Sequence, residues 1–333
     1  MKKHLYRILT VILTGSSQAG FLDDINHASA PKGVLSNSKR IAEDSLFESV
    51  GAIFSGPLDG GVFFTSSAVL ISPTMALSAK HCFEKWDEGH PTHQFFFGFP
   101  KDPSSVEIEP INFRIVSKIV GFKDQDIVLL YLDEPVTHIK PASIIEKEEY
   151  VSFFSKVSSS SLASPLPATE RERTCGIFAG YSISKTASDL QKMSLADVGS
   201  FFSSVPQGGP KTAGAIQLRH YDKAQSLLVS NFVDFPAEGR QEPFSFKGSK
   251  ASIASIIPGD SGSGVFFEVA GQWKLVAIAS STSDSKQPIT ELIPGVHMLF
   301  SNWSPIRLSL DRLEKATLAL ESKKARFGRP SPS

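Results

Sequence analysis

The sequence predicts an all-β protein built as two β modules and closed by one carboxy-terminal helix. Three observations lead there. Between residues 50 and 300, short runs rich in Val, Ile, Phe and Ser are broken by Gly and Pro, and helical periodicity is scarce. The stretch SKVSSSSLASPLPATER, residues 155–171, is Ser/Pro-rich and separates two sets of such runs. In the final stretch, IRLSLDRLEKATLALESKKAR, Ile306, Leu310, Leu313 and Leu318 recur at helical spacing. A chain of 333 residues has length for one large or two medium domains with real cores.

At the amino terminus, residues 1–19 read as an export signal. Lys2, Lys3 and Arg7 form a basic start, and Ile8 to Leu13 form an apolar core too short to span a bilayer. Ser17 and Ala19 are small residues where a signal peptidase reads, so a cut is expected after Ala19. The product would be periplasmic or extracellular, with no membrane segment left after signal removal. Residues 20–40 are polar and patternless, end in Lys39-Arg40, and read as a propeptide.

The first module, residues 41–145, carries strand-like runs at Val50–Phe54, Gly61–Ser72, His93–Phe99, Val106–Val116 and Asp126–Leu132, with turn signals such as GPLDGG between them. A linker or loop is expected over 146–172. The second module, residues 173–302, has runs at Thr174–Ser182, Ala215–Leu218, Gln225–Phe232, Gly262–Glu268, Trp273–Ser280 and Gly295–Phe300. The helix is expected over 303–325 and a basic tail over 326–333.

Charge excludes one class of function. Lys+Arg and Asp+Glu both number 34, and this neutrality argues against a nucleic-acid binder. The loop around His90 and His93, with Glu84, Asp87 and Glu88 nearby, reads better as a solvated loop than as a metal site. No metal and no cofactor are implied.

The chemistry concentrates in three stretches. IIPGDSGSGVF, residues 256–266, sets Asp260 and Ser261 between glycines on a tight turn before an apolar run. Ser261 there is either turn chemistry or a nucleophile, and a nucleophile needs a base and an orienting acid. AVLISPTMALSAKHC, residues 68–82, reads as strand, Ser-Pro turn, second strand, and then His81, the base candidate. DQDIVLLYL, residues 124–132, places Asp126 before a run too apolar for a surface strand, with Asp124 as its rival.

These residues carry a resemblance. LSAKHC resembles the Leu-Thr-Ala-Ala-His-Cys stretch of the chymotrypsin/trypsin-like serine proteases, DIVLLYL their Asp-Ile-Ala-Leu-Leu run, and GDSGSG their Gly-Asp-Ser-Gly-Gly-Pro. The order His81, Asp126, Ser261 is the chymotrypsin order, and the hydrolase elbow G-x-S-x-G fails at Ser263. PGV at 294–296 and SNWSPI at 301–306 are similar to the family's last strand and the approach to its terminal helix. The resemblance covers residues 41–310. It implies two six-stranded antiparallel β-barrels with a C-terminal α-helix, and a monomeric serine endopeptidase acting on protein or peptide substrates.

The resemblance also assigns roles. Ser280 would hydrogen-bond the orienting acid, and the N–H groups of Gly259 and Ser261 would form the oxyanion hole. Ser255, six residues before the nucleophile, would be the base of the primary pocket, with Ser280, Thr282 and Gly295 around it. Ser255 is uncharged where a trypsin carries Asp, which implies an apolar side chain before the cut. Cleavage after Arg40, by a separate activating protease, would free Ile41 to pair with Asp260, although the usual pair of glycines after that terminus is missing. Lys80 stands where the family has a small residue. Cys82 and Cys175 lack their usual partners, so two free buried thiols are expected. A catalytically inactive homologue acting as a binding protein is the alternative, and an esterase is a second; the intact set of three residues and the failed elbow disfavour them.

Overall fold

The structure is a computed structural model that describes residues 20–22, 38–57, 63–84, 93–100, 113–122, 125–157, 175–182, 185–186, 208–222, 227–233, 244–251, 254–256, 259–282 and 298–306. It is mostly β. A short strand β1 (Gly20–Leu22) precedes a helical turn over 38–42 and a 3-10 turn, Ser45–Phe47. The first sheet is formed by β2 (Val50–Pro57), β3 (Phe63–Ser72), β4 (Met75–Ser78), β5 (His93–Gly98), β6 (Phe113–Gly121) and β7 (Val128–Leu132). It closes as a six-stranded antiparallel barrel in the order β2-β3-β4-β7-β6-β5, with β5 paired back onto β2. Helix α1 (His81–Glu84) follows β4.

Alternation explains the barrel. Successive strand residues face opposite sides, so Val128, Leu130 and Leu132 join Ile53, Ala68, Leu70 and Phe97 in one cluster. Leu129, from the other face of the same strand, joins Val69 and Leu77 in a second cluster. That second cluster also takes Ile177, Ala179, Phe266, Leu275 and Ile278 from the carboxy-terminal half. One continuous apolar core therefore holds the two halves together.

Helix α2 (Lys147–Val157) leads from the barrel into the second half, which contains β8 (Cys175–Ser182), β9 (Lys185–Thr186), β10 (Gly208–Asp222), β11 (Leu227–Val233), the hairpin β12 (Phe244–Phe246) and β13 (Ser249–Ala251), β14 (Ala254–Ile256), β15 (Gly264–Val269), β16 (Gln272–Thr282) and β17 (Met298–Pro305). Six of these form an antiparallel sheet in the order β10-β11-β17-β16-β15-β8, and β8 also pairs with β10. A separate small sheet has the order β14-β1-β9.

Two expectations need correction. The predicted linker contains α2. Its first turn is capped, because the Glu149 carboxylate accepts the Glu146 N–H at 2.9 Å, the reach-back half of a capping box. Phe153 packs edge-on against Phe267 at 5.0 Å, and Lys274 Nζ meets Glu149 at 2.6 Å. The predicted terminal helix does not begin at 303. Trp303 pairs with Leu228 and Pro305 with Ala277, so the ladder of β17 runs through these residues. Residues 307–325 of that helix, the tail 326–333 and the signal 1–19 lie outside the described residues.

Candidate active site

Strand register brings His81 to Asp126. In the β4/β7 ladder Ser78 pairs with Val128; three residues beyond one and two before the other lie His81 and Asp126. The Phe83 side chain is buried in the barrel cluster and pins α1 there. The His81 N–H donates to Asp126 Oδ1 at 2.8 Å, and Nδ1 donates to Oδ2 at 2.6 Å. Because an ionised carboxylate only accepts, this fixes the proton on Nδ1. Nε2 is left to accept from Ser261 Oγ at 3.0 Å.

Ser261 sits on the turn before β15, where Gly259 has φ +103° and Gly262 φ +86°, backbone that side chains rarely adopt. Ser263 N–H closes the turn onto the Asp260 carbonyl at 2.7 Å, and Gly262 N–H donates to the Ala279 carbonyl at 2.9 Å. The barrel braces it from outside. Ser67 donates from N–H to the Ser261 carbonyl and from Oγ to the Gly259 carbonyl, both at 2.9 Å. Ser78 Oγ donates in turn to the Ser67 carbonyl at 2.8 Å. A Cβ at Gly262 would collide with that carbonyl. Among the described residues, neither the Gly259 nor the Ser261 N–H donates to a protein acceptor.

The electrostatics follow from the contacts. Ser280, expected to reach the acid, donates to Asp126 Oδ2 at 2.7 Å. Burial pushes the Asp126 carboxyl up, but the hydrogen bond from His81, the charge on its ring and the Ser280 hydroxyl hold it below the ordinary value. For His81, burial disfavours the cation, while the Cys82 sulfur and then Asp126 lift the pKa well above 6.5. Cys82 Sγ lies 3.5 Å from Nε2. The side chains of His81 and Asp126 are each 23% exposed, enough to let solvent reach the pair.

Asp260 is buried behind the turn against Gly180, beside the Ser182 hydroxyl and N–H. Burial pushes its carboxyl up to about 7, more than those Ser182 groups pull it down. The predicted Ile41–Asp260 pair is not made in the intact chain. Arg40 is exposed, but Ile41 is 3% exposed and packs in the core within the helical turn 38–42. Ser38 Oγ anchors that turn by donating to the Ala213 carbonyl and accepting the Ala213 N–H.

The remaining candidates are described in part. Ser255 lies in β14 and Thr282 ends β16; Gly295, like Asp124, lies outside the described residues. Cys82 and Cys175 form no disulfide, as expected, but are half-buried rather than buried. The Lys80 stem passes over Gly121, whose missing side chain leaves it room. Among the described residues no cluster of His, Cys, Asp and Glu has the make-up of a metal site. Reading the sequence missed Ser67 and Ser78; the only signal was a run of serines inside an otherwise apolar strand pair. No protein-family model matches this chain, and no curated protein matches it by sequence.

Proposed function

We propose that the chain is an exported serine endopeptidase of the chymotrypsin/trypsin type, with its two six-stranded sheets as the two barrels of that fold. One observation carries the reading. His81 bridges Asp126 at 2.6 Å and Ser261 at 3.0 Å, with two N–H groups beside the serine that donate to no protein acceptor among the described residues.

In the reaction, Ser261 Oγ attacks the carbonyl carbon of a peptide bond while His81 Nε2 takes the hydroxyl proton. Asp126 holds the ring in the productive tautomer and stabilises its cation. Negative charge forms on the substrate oxygen, where the Gly259 and Ser261 N–H groups receive it. The C–N bond breaks as His81 returns the proton to the leaving amine. Water then repeats the sequence on the acyl-enzyme, with no cofactor. The neutral Ser255 favours an apolar side chain before the cut, and the enzyme acts as a monomer on protein or peptide substrates in the periplasm or outside the cell.

Labelling by a fluorophosphonate, together with casein hydrolysis, tests this. Both are expected of the folded protein, and both are expected to vanish in Ser261→Ala. Labelling that survives the substitution would overturn the assignment.

A further inference from the structure

We infer, building on the protease reading, that His81 and Cys82 form a site for an exchangeable zinc ion, which inhibits the enzyme by taking the place of the proton between His81 and Ser261. The geometry is that of a chelate. Cys82 Sγ lies 3.5 Å from His81 Nε2, and Ser261 Oγ lies 3.0 Å from the same nitrogen. Zinc bonds thiolate sulfur at about 2.3 Å and imidazole nitrogen at about 2.0–2.1 Å, so a tetrahedral ion sets those two atoms about 3.6 Å apart. A zinc-bound oxygen would stand about 3.4 Å from the nitrogen, a few tenths of an ångström from where Ser261 Oγ is. Two neighbouring side chains reach one point because His81 opens α1, and Cys82 packs against the barrel cluster that buries Phe83. Cys82 is half-buried and forms no disulfide, and the His81 side chain is open enough for an ion to enter.

What prepares His81 as a base also prepares it as a ligand. Asp126 Oδ2 holds the proton on Nδ1 and leaves the lone pair on Nε2. A metal-bound histidine has the same need, and its other nitrogen commonly donates to a carboxylate. Ser280 holds that carboxylate in turn at 2.7 Å. Sulfur and imidazole together select zinc over magnesium or calcium, which take oxygen ligands. On binding, Cys82 gives its thiol proton to solvent as the zinc–sulfur bond forms, and Nε2 bonds through its lone pair; nothing is oxidised or reduced. Among the described residues no group of three or more His, Cys, Asp and Glu could hold a metal. Two such ligands, with the Ser261 hydroxyl and water completing the four, fall short of the set that retains a resident zinc, so the ion comes and goes. While it is bound, His81 cannot take the Ser261 proton and no acyl-enzyme forms.

The test uses the full chain, stripped of metal by a chelator and titrated with zinc chloride, then with cobalt chloride as a spectroscopic stand-in. Zinc is expected to block fluorophosphonate labelling, and excess chelator to restore it; magnesium chloride leaves labelling unchanged. Cobalt is expected to bind one to one and to give an ultraviolet sulfur-to-cobalt charge-transfer band. In Cys82→Ser, measured against its own zinc-free rate, the band is expected to vanish and the inhibition constant for zinc to rise at least roughly tenfold, the lower end of what losing a partner of a metal ligand costs. Cys175→Ser keeps the band. Zinc protection of Cys82 from alkylation in the unaltered chain, read by mass spectrometry, reports the same contact without relying on the variant's folding. A missing cobalt band, unprotected Cys82, or equal zinc inhibition in the unaltered chain and folded Cys82→Ser would overturn the inference. Labelling that is intact and indifferent to zinc rejects the inference alone. A cobalt band that depends on Cys82 in protein that never labels supports the metal site and rejects the protease reading, and neither band nor labelling rejects both.

Discussion

Ser280 and His81 share one atom of Asp126: the hydroxyl donates to Oδ2 at 2.7 Å, and the imidazole Nδ1 donates to the same oxygen at 2.6 Å. Two donors on one oxygen fix the carboxylate's rotation about its Cβ bond, and with it the plane of the ring. Ser280 comes from β16 and His81 opens α1, just after β4, so this oxygen joins the two halves of the molecule.

Ser280→Ala removes one of those donors. Hydrogen bonds to charged groups contribute about 1.5–3 kcal/mol, and part of that is lost as free rotation of Asp126. We expect kcat/KM to fall about tenfold, the rate equivalent of about 1.4 kcal/mol. The acid side changes as well. Asp126 is held below its ordinary pKa, so its charge stabilises the fold above about pH 3.9, and this is lost as pH falls through the lowered value. Without Ser280 the loss begins at higher pH. Urea unfolding between pH 2 and pH 6 measures it.

The pH–rate profile reports on His81. Catalysis needs the neutral ring, and its pKa is raised, so the acidic limb of kcat/KM is expected above about pH 6.5. For stability the sign is opposite. The charged ring stabilises the fold below about 6.5, and this is lost as pH rises through the raised pKa. Cys82→Ala takes away the sulfur 3.5 Å from Nε2 and is expected to move the limb toward the ordinary value. Identical limbs in the two proteins would show that Cys82 has no hold on the base.

Residues that mark their own surroundings were legible. His81, Asp126 and Ser261 each sit where an apolar run meets a turn, and Gly259 and Gly262 announce the turn's geometry. Ser67 and Ser78 were not legible, because their meaning lies in partners far away: Ser67 Oγ reaches the carbonyl of Gly259, 192 residues on. The strands β1, β9 and β14 are two or three residues long, too short to show an alternation. Helix α2 was hidden by the serines that follow it, although Tyr150 and Phe153 lie at helical spacing. SNWSPI has the Pro of a chain break, yet Pro305 is the last residue of β17, at the end of its ladder with β16, where a missing N–H is tolerated.

Gly180→Ala tests the chamber behind the nucleophile. A Cβ there would run into both Asp260 Oδ1 and Ser263 Oγ, in a region with no exposure to absorb the shift. Overpacking of this kind costs typically 1–3 kcal/mol. Because the displaced atoms belong to the turn, activity is expected to fall more steeply than Tm. Full activity with an unchanged Tm would mean that Asp260 is held less tightly than its burial implies. The same crowding gives Ser263 a place: its hydroxyl lies against Gly180 beside the acid, so the absent side chain at 180 and the extra one at 263 fit each other.

Ser67→Ala separates bracing from chemistry. The hydroxyl donates to the Gly259 carbonyl and accepts the Tyr181 N–H at 3.2 Å, all inside the protein. Removing it leaves a buried acceptor and a buried donor without that partner, at about 1–3 kcal/mol each. The Ser67 N–H still donates to the Ser261 carbonyl, so the nucleophile keeps its place while the Gly259 peptide is freed to rotate. The expected signature is a lower kcat, a nearly unchanged KM, and slower fluorophosphonate labelling that still reaches completion. A loss confined to KM would place the effect of Ser67 in substrate binding and reject its role as the brace of the oxyanion turn.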